Sequence, residues 1–213
     1  MFVPLVDSLR CPNPHDETWL VASIERADER DIKEGTLGCP SCYAEYPIVD
    51  GVVVFDSAAT RSAFIAPSEK DATRIAAALD LTDQRMTALL VGECGAHAPL
   101  VRAMSPAQLL LLNPSDGVVS GDGVSIILSS AVPIAASSMD AVAIDAHVSE
   151  ATVASLRATL RGGRRMLGPA SRPVPAFLTE LARDADVWVA QLEAGAATSA
   201  PVLLSKRPRT ESR

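Results

Sequence analysis

Four cysteines, Cys11, Cys39, Cys42 and Cys94, carry the clearest chemical signal in this 213-residue chain. The pair Cys39-Pro-Ser-Cys42 sets two thiolates on a tight turn, a spacing that bites one tetrahedral ion. Upstream, Cys11-Pro-Asn-Pro-His15 offers one thiolate and one imidazole. Cys11, His15, Cys39 and Cys42 together make a closed structural zinc set of three sulfurs and one nitrogen. Pro14 stands where a C-x2-C turn would place its second ligand, so His15 has to reach from one residue further on. The alternative is a reduced, metal-free cysteine cluster. Zinc is favoured because Trp19, Leu20, Val21, Ile24 and Leu37 are too few for an independent core. The N-terminus lacks a basic segment before an apolar stretch, so no signal peptide is expected, and the thiols are read as metal ligands rather than disulfides.

A second group of reactive side chains follows two apolar runs. Glu93, Cys94 and His97 follow Ala88–Val91, and Asp145 and His147 follow Asp140–Ile144. Each also has a plain structural reading. Glu93 suits an ordinary turn, Cys94 a small buried thiol with no base beside it, and the histidines a helix start and a loop. Asp140 suits the turn before its strand.

These residues need elements to hold them. Short apolar runs alternate with helical stretches from residue 68 onward. Helices are expected over Ser68–Arg85, Ala98–Met104, Glu150–Leu160 and Val174–Arg183. Strands are expected over Ala88–Val91, Gln108–Leu112, Val124–Leu128, Asp140–Ile144, Arg164–Leu167, Val187–Leu192 and Pro201–Ser205. Gly162-Gly163 is read as a helix stop. Such alternation means an α/β fold: a Rossmann-like, mainly parallel sheet with helices on both faces.

Composition sets limits. Hydrophobic residues make up 48% and aromatics only 4%, so Ala, Val and Leu must pack the core. The most apolar window, Val124–Ile144, contains Pro133, Asp140 and five serines, which suits buried strands and loops better than a membrane span. The net charge of −7 sits in residues 1–60, with eleven acids against four bases, and the remainder is neutral. Such a surface does not suit a phosphate backbone, so nucleic acid is not indicated. A cytoplasmic location is expected.

Residues 9–55, LRCP…GTLGCPSCYAEYPIVDGVVVF, resemble the Trm112-like zinc ribbons, in which a knuckle precedes a Tyr-Pro-Ile segment, a glycine and a short strand. Tyr46-Pro47-Ile48-Val49-Asp50-Gly51-Val52 carries that likeness. Members of that family bind and stabilise methyltransferases, as separate chains or as fused N-terminal modules. Residues 68–206 resemble a class I S-adenosylmethionine methyltransferase. ALLVGECGAHAPLV stands at the first strand and Gly-rich loop, and VPIAASSMDAVAIDAHVS and LRATLRGGRRML at later family segments. The resemblance implies a ribbon over 1–56, a linker over 57–67, a methyltransferase-like domain over 68–206 and a basic tail over 207–213. It implies a cofactor site at Gly92, Glu93, Gly95, Asn113 and Ser129. The motifs are eroded, however. Ala96 and His97 replace later glycines, and Asn113 stands where the family carries a ribose-binding carboxylate. The segment Asn113–Gly123 is too short for the usual helix, which leaves one wall of the pocket unprovided. The expectation is a zinc-binding scaffold or binding module with little or no catalysis and doubtful S-adenosylmethionine binding. The alternatives are an active methyltransferase with an atypical pocket, or an activator of a separate methyltransferase. A protein partner, either a methyltransferase or a second copy, is in keeping with these readings.

Overall fold

The computed structural model describes residues 1–194. The expected last strand Pro201–Ser205 and the basic tail 207–213 lie outside the described residues.

Four short strands open the chain: β1 (Val21–Asp28), β2 (Asp31–Gly38), β3 (Glu45–Val49) and β4 (Val52–Val54). They form an antiparallel meander. The β3–β4 link is Asp50-Gly51, with φ of 49° and 76°, the all-positive backbone that a two-residue hairpin turn needs. Seven more strands follow: β5 (Thr87–Val91), β6 (Gln108–Leu112), β7 (Val124–Leu128), β8 (Met139–Ala143), β9 (Leu160–Pro169), β10 (Leu178–Arg183) and β11 (Val187–Leu192). The helices are α1 (Glu69–Ala78), α2 (Ala98–Met104) and α3 (Glu150–Thr159).

The eleven strands among the described residues join one sheet in the order β1-β2-β3-β4-β7-β6-β5-β8-β9-β11-β10. From β7 to β9 every pairing is parallel, and β11 runs antiparallel between β9 and β10. Chain order reverses at β5: β6 and β7 lie on one side of it, β8 and β9 on the other. Right-handed crossovers therefore leave on opposite faces. Helices α1 and α2 cover one face, packing Ile75 and Val101 with Leu90, Leu109, Leu111 and Ile126. Helix α3 covers part of the other through Val153 and Leu156.

The β6–β7 and β7–β8 connections contain no helix. The N-terminal residues supply the missing cover. Met1, Leu5, Leu9, Tyr46 and Phe55 share one buried cluster with Leu110, Leu112, Ile127 and Ile144. Strand β4 also pairs with β7 in parallel, so the same segment extends the sheet and caps its face. Ile48, Val53 and Phe55 are thereby buried against the sheet, while Val49 stays exposed.

Several sequence expectations are corrected. Val174–Arg183 is not a helix: the chain is irregular up to the edge strand β10, whose residues pair with β11. Pro173 and Pro175 would be tolerated ahead of or within a helix's first turn, so the segment permits either state, and pairing of Leu178–Arg183 with β11 decides it. Gly162-Gly163 stops no helix. Helix α3 ends at Thr159 and the glycines lie inside β9, where the pairing with β8 shifts between Met139↔Leu160 and Ala141↔Arg165. Gly163 has φ of 78°, so the pair accommodates a bulge. The first helix ends at Ala78 rather than Arg85, followed by Asp80 at φ 56°.

Phe55 is 9% exposed, and its N–H donates to Leu128 O at 2.8 Å. Phe55→Ala should destabilise the whole sheet, not only the hairpins, by roughly 3 kcal/mol. Urea unfolding followed by the fluorescence of buried Trp188, far away on β11, checks this; an unchanged midpoint would refute shared burial.

Candidate metal centre and switch-point cavity

Two arms bring the four expected ligands together. The first begins with a 3-10 turn, Val3–Ser8, and then pairs twice: Arg10 N–H donates to Pro133 O at 3.0 Å, and Cys11 N–H to Thr18 O at 3.1 Å. Pro12 and Pro14 hold the loop open, and His15 N–H donates to Asn13 O at 2.9 Å. This turn is what carries His15 forward by the extra residue. The second arm is the turn after β2, where Cys39 N–H donates to Ala44 O and Tyr43 N–H to Cys39 O, each at 2.9 Å. Tyr43 takes φ of 59° to close it.

The ligand atoms of Cys11, His15, Cys39 and Cys42 all lie within 4.8 Å of one another. Cys11 Sγ and Cys42 Sγ are 3.7 Å apart, and Cys39 Sγ and His15 Nε2 are 3.5 Å apart. A zinc ion with Zn–S near 2.3 Å and Zn–N near 2.0 Å requires tetrahedral edges of about 3.8 Å and about 3.5 Å. The four residues can therefore hold a metal ion, and their donor set suits zinc.

The surroundings fit as well. His15 Nδ1 lies 2.7 Å from Asp16 O, which places the proton on Nδ1 and leaves Nε2 to coordinate. The same contact raises the imidazole's pKa. Asn13 Nδ2 donates to Cys42 Sγ at 3.3 Å. That bond, followed by the Ala44 N–H, draws the Cys42 thiol down to about 6. Burial pushes the Cys11 thiol up instead. Sequence reasoning missed Asn13, although its place between two prolines and two ligands was the available signal. Arg10 was missed too. It is 7% exposed, donates to Asp7 O and Leu9 O, and stacks 3.8 Å from the Trp19 ring.

The second site lies at the carboxyl ends of β5, β6, β7 and β8, where chain order reverses, the usual place for a ligand in an open α/β sheet. A cavity of about 390 Å³ opens there. Gly92, Glu93, Asn113 and Ser129 line it, but Gly95 does not. A Cβ on Gly95 would sit 2.7 Å from Pro114 Cβ, so this glycine serves loop packing. The wall expected to be missing is built by Thr60, Arg61 and Ser62, in the segment read as a linker. Ser62 bridges Ser115, and Arg61 Nη1 donates to Val118 O at 2.7 Å.

The polar groups here are largely spent on the fold. Asn113 Nδ2 donates to Ser129 O at 2.7 Å and its Oδ1 accepts from Ser129 N–H at 2.9 Å, closing the ends of β6 and β7 like an extra ladder rung. Asp145 is the buried carboxylate of the site. It accepts from the N–H groups of Glu93 (2.6 Å), His147 (2.6 Å) and Val148 (3.1 Å). A Cβ on Gly92, at φ 62°, would lie 2.0 Å from that carboxylate, so glycine is required. His147 Nε2 stands 3.7 Å from Glu93 Oε1.

The Cys94 thiol is pushed up by burial, then by Asp145 and Glu93. His97 accepts from Ser68 N–H at 3.1 Å, and burial lowers its pKa. Asp140 lies at the opposite end of β8, bound by Thr87 N–H, Arg161 and Arg164.

No family model matches the chain, and no curated protein does. Among solved structures it is similar to an S-adenosylmethionine-dependent O-methyltransferase from Thermotoga maritima. The identity is 13%, the match covers 63% of this chain and 68% of that one, and the TM-score is 0.43. The chain is a mixed α/β protein with a Rossmann-like sheet, parallel from β7 to β9 and antiparallel at β11. It carries an N-terminal Cys/His cluster able to hold a metal ion.

Metal uptake at neutral pH should displace a proton from Cys11, held protonated by burial, and none from Cys42, a thiolate above about 6. Affinity should therefore fall as pH falls, and more steeply below about 6, where Cys42 also protonates. Chelator competition at about pH 5, 7 and 9 checks the sign. At the other site, Asn113→Asp should lose the donor to Ser129 O and cost roughly 1–3 kcal/mol. Thermal unfolding of that variant checks it, and an unchanged melting point would contradict the rung.

Proposed function

We propose that this chain is a zinc-stapled, methyltransferase-like binding or scaffold module with little or no methyl-transfer activity. The observation that carries the reading is the closed pair between Asn113 and Ser129. In the methyltransferase-like reading the end of the second strand faces the cofactor ribose. There the only side chain of the right kind is an amide, and both its hydrogen-bonding ends are already engaged. A bidentate carboxylate would gain charge-assisted bonds of about 1.5–3 kcal/mol each. The N-terminal likeness to Trm112-type ribbons supports the zinc part, with the ribbon docked on its own sheet instead of on a separate enzyme.

A second reading, an active methyltransferase with an atypical pocket, is favoured by one feature. The cavity at the switch point stays open and keeps Glu93, Asp145 and His147 on its wall. Cofactor affinity separates the two. Titration calorimetry of the metal-loaded protein with S-adenosylmethionine and S-adenosylhomocysteine should give dissociation constants near 1 mM, about −4 kcal/mol. A value under about 10 μM, roughly −7 kcal/mol, would overturn the scaffold reading and establish the second.

A further inference from the structure

We propose that Tyr46 is a positioning residue of the metal centre: its hydroxyl donates to the Cys11 thiolate and fixes that ligand's direction and charge. The proposal rests on the zinc-stapled reading given above. Tyr46 Oη lies 3.1 Å from Cys11 Sγ, and both residues are buried, at 5% and 9% exposure. A metal-bound cysteine has no proton, so the hydroxyl must be the donor and the sulfur the acceptor. The bond is charge-assisted and lies away from water, where such bonds are strongest.

The backbone aims this hydroxyl. Tyr46 sits on β3 opposite Leu37 of β2, two residues before Cys39. Its ring packs on Phe55, with centroids 4.7 Å apart and planes tilted by 43°. Phe55 in turn bonds to β7. Tyr46 thus joins three things: the Cys11 arm, the Cys39–Cys42 arm and the sheet. Cys42 differs, since it is exposed and its support is the Asn13 amide. The four ligands therefore fall into a buried end at Cys11, held by Tyr46, and an exposed end at Cys42. Hydrogen-bond partners of ligands act on affinity through the ligand, typically 10- to 100-fold.

The test is Tyr46→Phe, which keeps the ring on Phe55 and removes only the hydroxyl, read on the full chain loaded with cobalt(II) in place of zinc. Metal affinity by chelator competition should fall about 10- to 100-fold. The thiolate-to-cobalt charge-transfer absorption should move to lower energy, because a thiolate relieved of its donor gives up charge more readily. Phe55→Leu, a packing change alone, should leave the band in place. An unmoved band in Tyr46→Phe overturns the proposal, as does an equal band shift in Phe55→Leu. Should Tyr46→Phe fail to fold, 3-fluorotyrosine introduced at Tyr46, a stronger donor of nearly the same shape, must move the band to higher energy, and an unmoved band overturns the proposal. A wild-type chain that takes up no cobalt overturns the metal centre and this proposal together. Uptake with an unmoved band overturns only the role of Tyr46.

Discussion

Burial of one sheet face by the N-terminal hairpins is the constraint on which the rest of this structure depends. Leu110, Leu112 and Ile127 point to the face that helix α3 only partly covers. Two helix-free connections leave the region around β6 and β7 open, and a sheet of this kind is stable only when both faces are covered. The first 55 residues fill that gap with Leu5, Leu9, Tyr46 and Phe55. Strand β7 is the junction: one edge pairs with β6 and the other with β4.

The metal centre belongs to the same arrangement. Its first arm pairs with the segment after β7, through Arg10 to Pro133 and Ala135 to Ser8. Its second arm leads through β3 and β4 to Phe55 and Asp56, and Asp56 accepts from the Ser130 hydroxyl at 2.6 Å. Ser129, Ser130 and Ala131 line the switch-point cavity. One short stretch is therefore held from both sides by the arms that carry the ligands, while its inner surface forms a wall of the cavity. An ion joining Cys11 to Cys39 and Cys42 would close a ring of contacts through that wall. The hairpins, too small for a core of their own, draw stability from the sheet, and an ion held by the four ligands would add to it.

Much of the α/β part was legible because its signals are local. The runs Gln108–Leu112, Val124–Leu128 and Val187–Leu192 are short, apolar and bounded by turn residues, and each is a strand over those residues. Ala98–Met104 is helical as its pattern requires. Val174–Arg183 misled because its composition permits either state; pairing with β11 decided it, a partner whose position in space no local window contains. Gly162-Gly163 misled similarly, since a glycine pair serves a helix end or a β-bulge equally well, and the neighbouring strand chooses.

The amino-acid sequence by itself determined the candidate ligand set, since Cys11 with His15 and Cys39 with Cys42 each stand on one short turn, while the fold brings the two turns together. It also determined the alternation that makes an α/β sheet. Only the tertiary structure decided what the polar groups at the strand ends do. Asn113 closes on Ser129 because parallel pairing of β6 with β7 sets their ends side by side. Asp145 is held by the amide of Glu93 because β5 and β8 are neighbours despite the long stretch of chain between them. Thr60, Arg61 and Ser62 form a cavity wall because β4 delivers them to the edge of β7. Hydrogen-bond partners of this kind are set by which strands adjoin, and adjacency is a property of the packed sheet.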